Sequence, residues 1–247
     1  MKPTFLCIGV QKAGTTSLIH YLSQHPNVFM KNGESHYFDT VEPDVENIKA
    51  YENSFETSKL IVGEKTPSYN YLQYAMQRIY NYDPNMKLIL ILREPISRAF
   101  SQYNMTLDSR KQTLLDVTDE QIMLAFEREI NVKLASLTKN GSYYVARGKY
   151  DEILTFIYSK FPRENVYVGI AEEIKADRQK QYNDIFHFLG AKPIPLVNKD
   201  THIKTYARRI PKQLEQKLRA LYKPHNARLY EILGRKIDSW ENYYATI

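Results

Sequence analysis

The amino-acid sequence predicts a three-layer α/β fold in which helices cover both faces of a central parallel sheet. Short stretches that are apolar throughout alternate with segments of helical periodicity, as expected for parallel strands that are buried on both faces. The 247 residues suffice for one large core and include no internal repeat or clear linker. We therefore expect a single domain over residues 1–247.

Four strands can be placed in order along the chain. Lys87–Leu92 is the strongest, because its unbroken apolar run is typical of a central parallel strand. The first strand begins near Phe5, and the other two cover Leu60–Glu64 and Val166–Ile170. The predicted helices are Thr15–His25, Asp44–Phe55, Leu72–Tyr82, Ile96–Leu107, Thr118–Thr138, Tyr150–Phe161, Gln179–Leu189, Pro211–Tyr222 and His225–Leu233.

The composition favours an anionic ligand. The net charge is +6, which suits a phosphorylated nucleotide, an acidic glycan or nucleic acid. The sequence has no arginine-rich tail, zinc-finger spacing or RNA-binding signature, so nucleic acid is the least favoured of the three. The 20 tyrosines could line a carbohydrate or aromatic acceptor groove, although half-buried packing is their commoner role.

A single cysteine, Cys7, excludes an intramolecular disulfide, and its place in an apolar strand favours a small buried hydrophobe. The sequence has no charged-then-apolar leader before the first strand and no apolar run of about 18 residues. We therefore expect a cytoplasmic protein without a membrane span.

The segment after the first strand has the pattern of a phosphate-binding loop. Gly9 and Gly14 bound a short loop that contains Lys12, and a helix start follows at Thr15. Backbone N–H groups converge on an anion at such a helix start, where the helix dipole adds about half a positive charge. The pattern is P-loop-like and predicts an anion site.

The spacing departs from the Walker A pattern Gly-x-x-x-x-Gly-Lys-(Ser/Thr). Thr15 stands where the lysine belongs, and the lysine lies inside the loop as Lys12. Because the Walker lysine reaches the β- and γ-phosphates, this loop suits a shorter anion better than a nucleoside triphosphate.

Two further strand ends carry cations, since Lys65 follows the second predicted strand and Arg93 follows the strongest. Ligands of open α/β sheets collect at the carboxyl ends of the strands, so these side chains are expected near one edge. Ser101 lies eight residues after Arg93 in the next helix and could bind the same anion through its hydroxyl.

These motifs resemble the sulfotransferases that use 3′-phosphoadenosine 5′-phosphosulfate (PAPS), in particular the heparan-sulfate-type and bacterial carbohydrate branch. The loop resembles their 5′-phosphosulfate loop, and Arg93 and Ser101 resemble their 3′-phosphate motif. The resemblance implies a PAPS site that needs no metal. Its loop residues are Gln11, Lys12, Ala13, Gly14, Thr15, Thr16 and Ser17.

The resemblance also implies catalytic residues. Glu34 would take the proton from the acceptor hydroxyl, and His36 would orient that base or the acceptor. Lys65, in Glu-Lys-Thr-Pro-x-Tyr, would neutralise charge at the reacting centre, and Lys12 would stabilise the leaving oxygen. The sequence departs from the family pattern at Lys31, because two residues separate it from Glu34, which puts the role of Lys31 in doubt.

Weaker matches add further nucleotide contacts. Tyr150 lies in an Arg-Gly-x-Tyr element, and Lys204, Arg208 and Arg209 lie in a basic stretch that could close over the nucleotide. An ordinary helix start and a solvated basic loop remain the alternatives for these two elements.

The sequence thus predicts in-line transfer of a sulfuryl group from PAPS to an acceptor hydroxyl, with release of 3′-phosphoadenosine 5′-phosphate (PAP). By analogy with the branch, the acceptor is expected to be a saccharide. Two alternatives stay open at this point. One is a P-loop kinase that uses ATP, and the other is a catalytically inactive module that binds a nucleotide or polyanion.

Overall fold

The computed structural model describes residues 1–40, 42–197 and 208–245. Its sheet has five strands, all pairings are parallel, and the strand order is β2-β3-β1-β4-β5. The strands are β1 (Phe5–Gly9), β2 (Val28–Met30), β3 (Ile61–Lys65), β4 (Lys87–Leu92) and β5 (Val166–Ile170). The predicted α/β fold with a parallel sheet is confirmed, with β2 as a strand that the sequence did not predict.

The helices follow the strands closely in sequence. In the described part of the chain they are α1 (Thr15–Leu22), α2 (Tyr37–Thr40), α3 (Val45–Asn53), α4 (Gln73–Tyr82), α5 (Pro95–Ser109), α6 (Asp119–Glu127), α7 (Tyr150–Tyr158), α8 (Ala171–Ala176), α9 (Arg178–Leu189), α10 (Lys212–Leu233) and α11 (Asp238–Ala245). No helix in the described ranges has the length and the apolar character that a membrane-spanning segment needs.

The register of the sheet brings three strand ends together. Cys7 in β1 lies opposite Lys65 in β3, and Met30 in β2 lies opposite Gly63 in β3. Because the strands are parallel, the segments that follow β1, β2 and β3 all leave the sheet at the same edge.

Burial explains why the strands are apolar throughout. All five residues of β1 are buried, and every residue of β4 after Lys87 is buried as well. Since side chains alternate between the two faces of a strand, both faces of the sheet are covered at these strands. On one face, the rings of Tyr21 in α1 and Tyr182 in α9 lie 5.0 Å apart.

The chain forms two compact units. The first contains the described residues of Met1–Leu92 and Ile157–Thr201, and therefore the whole sheet. The second contains the described residues of Arg93–Phe156 and His202–Ile247, with a core formed by aromatic and aliphatic side chains of α5, α6 and α10. The single domain expected from the sequence stays a prediction.

The predicted helix over Thr118–Thr138 is wrong, because α6 ends at Glu127. Beyond it the chain folds back, and the Glu129 carboxylate accepts a hydrogen bond from the backbone N–H of Val145 at 3.0 Å. The Lys149 ammonium donates to the carbonyls of Ile130 and Val132 at 3.2 and 3.3 Å, which satisfies acceptors that a helix would have used internally. Ile130 and Val132 are also β-branched, and β-branched residues are weak helix formers.

The predicted break between two C-terminal helices is wrong as well. α10 runs without interruption through Pro224. An internal proline costs a helix about 3 kcal/mol, but this helix buries residues on both sides of the proline, among them Tyr222 and Leu229. Packing of that face offsets the local cost. The helices α2, α8 and α11 were not predicted.

We expect Asp151 to stabilise the second unit in a pH-dependent way. Its buried carboxylate accepts from Arg228 Nε at 2.7 Å and lies 2.8 Å from His225 Nδ1. Burial raises the pKa of Asp151, but the bonds to His225 and Arg228 outweigh burial and hold the pKa below its ordinary value of 3.8. The Asp151→Asn change removes a charged acceptor and is expected to lower the free energy of unfolding by about 1–3 kcal/mol at neutral pH.

Urea unfolding of parent and variant across a pH series measures this difference. The stabilisation is complete above the ordinary pKa and is lost as the pH falls through the lower folded-state pKa, so the two curves converge in acid. As a matched control, Asp184→Asn removes the exposed pair with Lys180 and is expected to change stability by less than about 0.5 kcal/mol. Equal losses for the two variants would contradict the assignment.

Candidate active site

The loop after β1 is shaped by residues with positive φ. The φ angles are 147° at Gly9, 74° at Lys12 and 85° at Gly14, and the Ala13 N–H donates to the Val10 carbonyl at 3.2 Å. Gly14 is the N-cap of α1 and brings no side chain to the N–H groups of its first turn. Those donors point out of the helix end, which suits an anion.

Gly9 is required by its surroundings as well as by its φ angle. A Cβ at this position would lie 2.2 Å from the Asn70 amide nitrogen and 3.0 Å from the Pro67 carbonyl oxygen. Asn70 donates to the carbonyls of Ile8 and Pro67 at 3.0 and 2.6 Å. The asparagine therefore ties the end of β1 to the segment that follows β3.

Glu34 and Lys65 form an ion pair at the edge of the sheet. Lys65 is the last residue of β3, its side chain is 8% exposed, and its ammonium donates to Glu34 Oε1 at 2.8 Å. Glu34 follows β2, so the pairing of β2 with β3 brings its segment to the lysine. The glutamate side chain is 35% exposed and can receive a further donor from solvent or substrate.

His36 links Glu34 to a buried carboxylate. Its Nε2 lies 3.2 Å from Glu34 Oε2, and its Nδ1 lies 2.9 Å from Asp39 Oδ2. The Asp39 side chain is fully buried and also accepts from the hydroxyls of Ser68 and Thr40. Asp39 thus fixes the ring so that Nε2 is the nitrogen that faces Glu34.

A second buried carboxylate lies beneath this cluster. Glu64 accepts hydrogen bonds from Thr66 Oγ1 at 2.8 Å, from the Tyr69 hydroxyl at 3.0 Å and from the Tyr51 hydroxyl at 3.3 Å. Burial raises the pKa of Glu64, and these bonds together with the backbone N–H of Ser35 oppose the rise.

Lys31, whose role the sequence left in doubt, does not join Glu34. Its ammonium donates to Ser54 Oγ at 2.7 Å and lies 5.2 Å from the centre of the Phe55 ring. Lys31 therefore supports the end of α3.

Arg93 and Ser101 belong to the second unit. Arg93 directly follows β4 in the chain and is half-buried, and the Tyr150 hydroxyl donates to its carbonyl at 2.8 Å. Glu94 caps α5 by accepting from the N–H groups of Ile96 and Ser97, so the start of the helix that carries Ser101 is fixed. Ser101 is 3% exposed.

The basic residues predicted to close over the nucleotide are Lys204, Arg208 and Arg209. The Arg208 guanidinium donates to the carbonyl of Val117 at 2.9 Å and to the Asp119 carboxylate, at the start of α6. Arg209 is exposed, and Lys204 lies outside the described residues.

Comparison with known proteins assigns the chain to a family. Residues 2–218 match the family described as "Sulfotransferase domain". The chain belongs to this sulfotransferase family. Heparan sulfate glucosamine 3-O-sulfotransferase 5 of Mus musculus is 26% identical over 201 residues, which are 77% of this chain and 54% of that protein. Heparan sulfate glucosamine 3-O-sulfotransferase 6 of Homo sapiens is 28% identical over 263 residues, covering 94% of this chain and 72% of that protein.

A solved structure supports the same assignment. The crystal structure of a sulfotransferase from Alicyclobacillus acidocaldarius superposes with a TM-score of 0.78 at 26% identity, covering 98% of this chain and 99% of that one. The family that the sequence motifs indicated is therefore confirmed. The chain matches about half, 54%, of the length of the Mus musculus 3-O-sulfotransferase 5.

Three residues of the candidate site were not predicted from the sequence, namely Asp39, Glu64 and Asn70. Asp39 had a weak signal, since it lies three residues after His36 and the two share the short turn around α2. Glu64 had one as the first residue of the Glu-Lys-Thr-Pro-x-Tyr element, although no role was assigned to it. Asn70 had none, because it would pass for an ordinary residue after a strand end.

We expect Gly9→Ala to damage the loop more than another glycine substitution does. The new Cβ meets Asn70, and overpacking of this kind costs about 1–3 kcal/mol beyond the strain of the backbone. Gly33→Ala is the matched control, because Gly33 also has a positive φ of 79° but nothing lies within 4 Å of its Cβ position. Thermal unfolding of both variants measures the difference, and equal shifts in Tm would contradict the packing argument.

Proposed function

We propose that this sulfotransferase domain transfers a sulfuryl group from PAPS to a hydroxyl of a carbohydrate and releases PAP. The observation that carries the proposal is the Glu34 carboxylate, held between the Lys65 ammonium and the His36 imidazole at the edge where β1 also ends. The relatives named as heparan sulfate glucosamine 3-O-sulfotransferases support a carbohydrate acceptor.

The loop that follows β1 is the proposed site of the 5′-phosphosulfate. The cradle fits an anion, because Gly14 leaves the first turn of α1 without a side-chain cap. Lys12 would stabilise the oxygen that departs with the nucleotide. The whole proposed segment is Gln11, Lys12, Ala13, Gly14, Thr15, Thr16 and Ser17.

Arg93 and Ser101 are the proposed partners of the 3′-phosphate. The hydrogen bond from Tyr150 holds the backbone of Arg93, and burial on α5 restricts the rotamers of Ser101. Contacts of Lys204, Arg208 and Arg209 with the nucleotide stay predictions. For Arg208, such a contact would compete with its bonds to the start of α6.

Glu34 is the proposed general base. It would accept the proton of the acceptor hydroxyl while that oxygen bonds to sulfur and the bond from sulfur to the phosphate oxygen breaks. Each carboxylate oxygen has two acceptor sites, so Glu34 can bind Lys65 and His36 and still accept from the hydroxyl. Lys65 and Lys12 would supply positive charge at the reacting centre, and no step is assigned to a metal ion.

Family membership and the displaced loop lysine favour sulfuryl transfer over the kinase alternative. The joined Glu34, His36 and Lys65 side chains favour a catalyst over an inactive binding module. The cytoplasmic location stays a prediction.

Thermal stabilisation by nucleotides tests the proposal. We expect PAP to raise Tm strongly without added Mg²⁺, because a ligand that binds only the folded state stabilises it. ADP and ATP are expected to do so weakly. Sulfuryl transfer from PAPS to a saccharide panel is then measured with the same preparation. Stabilisation by ATP with Mg²⁺ but not by PAP would overturn the proposal, and binding of PAP without turnover would support an inactive module.

We expect Glu34→Gln to lower kcat about 10²–10⁴-fold, since the amide cannot accept the proton. The affinity for PAP, measured by titration calorimetry, is expected to stay within about twofold because Glu34 faces the acceptor. Glu46→Gln, at an exposed position of α3, is the matched control. Full kcat in the Glu34→Gln variant would show that Glu34 is not the general base.

We expect Ser101→Ala to weaken the binding of PAP about tenfold, because one hydrogen bond to a charged group is lost. Adenosine 5′-phosphosulfate lacks the 3′-phosphate, so its affinity is expected to remain unchanged. Ser109→Ala makes the same substitution at the exposed end of α5 and serves as control. If both ligands lost affinity equally, Ser101 would act on the fold and not on the 3′-phosphate.

A further inference from the structure

The Glu64 carboxylate accepts from three hydroxyls and is itself fully buried. These hydroxyls belong to Thr66, Tyr69 and Tyr51. A protein interior rarely keeps a carboxylate without a full set of partners, because the uncompensated charge is costly.

Two of these hydroxyls also accept hydrogen bonds from the backbone of the segment that carries Glu34. Thr66 Oγ1 accepts the backbone N–H of His36 at 3.2 Å, and the Tyr69 hydroxyl accepts the backbone N–H of Phe38 at 3.3 Å. A hydroxyl has one hydrogen, so donating it to Glu64 leaves its lone pairs to face the two N–H groups.

The segment needs this support because its backbone is unusual. His36 has a φ angle of 51°, a left-handed conformation that costs energy for a residue with a Cβ. The hydrogen bonds fix the N–H groups of His36 and Phe38, which lie in the segment after Glu34.

We propose that Glu64 is a positioning residue that holds the 35–38 backbone, through Thr66 and Tyr69, so that Glu34 and His36 face the acceptor. Its catalytic consequence rests on the function proposed above. The carboxylate does not touch the substrate. It is the common acceptor for two hydroxyls, and each of these hydroxyls accepts from one backbone N–H group. Glu64 thereby fixes the orientation of Glu34.

Amide hydrogen exchange tests the positioning without any reference to catalysis. In Glu64→Gln, the exchange of the His36 and Phe38 amides, followed by NMR, is expected to accelerate about tenfold or more relative to the parent. Thr66→Val keeps the shape and the Glu64 charge, and is expected to accelerate His36 more than Phe38. Thr66→Ser keeps the hydroxyl and is expected to restore the parent rate.

Tyr51→Phe is the matched control. Its hydroxyl also donates to Glu64, but no hydrogen bond of the structure joins that hydroxyl to the 35–38 backbone within the described residues. We expect it to lower Tm while leaving both amides protected. Unchanged exchange in Glu64→Gln and Thr66→Val, or equal acceleration in Tyr51→Phe, would overturn the proposal.

Kinetics then tests the consequence for the reaction. Glu64→Gln and Thr66→Val are expected to lower kcat about 10–100-fold, as misplacement of a catalytic group does, while the affinity for PAP stays within about twofold. Accelerated exchange with unchanged kcat would overturn the catalytic consequence. If the parent transfers no sulfuryl group, the proposed function fails, and the exchange result still decides whether Glu64 holds the segment.

Discussion

The ion pair between Lys65 and Glu34 is the interaction on which the site depends. A lysine side chain that is only 8% exposed at the end of a strand is costly unless a carboxylate lies beside its ammonium. The short strand β2 adds to the edge of β3 and carries the following segment to that lysine. The same register places the loop after β1 next to it, so one sheet edge holds both this loop and the carboxylate.

The buried carboxylates differ in what they hold. Asp39 holds a side chain, the imidazole of His36, whereas Glu64 holds backbone through two hydroxyls. The second unit uses buried cations in a comparable way, because Arg98, Arg147 and Lys149 all donate to backbone carbonyls. Part of the net charge of +6 therefore supports the fold.

Much of the fold could be predicted from the sequence. Lys87–Leu92 and Val166–Ile170 are strands with the predicted bounds, because continuous apolar runs of this length rarely have another use in an α/β protein. β2 escaped prediction since three residues carry no periodicity. The long helix expected from Thr118 failed because tertiary partners, such as Lys149, outweighed the local pattern.

The site was predictable only in part, for a physical reason. Glu34, Lys65 and the loop have neighbours in sequence that form motifs, whereas Asp39 meets Ser68, a residue 29 positions away. Contacts of that kind arise from the sheet register and leave no local signal. Asn70 and Glu64 became interpretable only when their partners at the ends of β1 and β3 were known.

The most direct test of the account is a crystal structure of the domain with PAP and a saccharide acceptor. We predict the 5′-phosphate at the N–H groups of the 11–17 loop and an acceptor hydroxyl about 2.6–3.2 Å from a carboxylate oxygen of Glu34. A hydroxyl that instead met His36 or solvent, with Glu34 still bound to Lys65 and directed elsewhere, would contradict the assignment of the base.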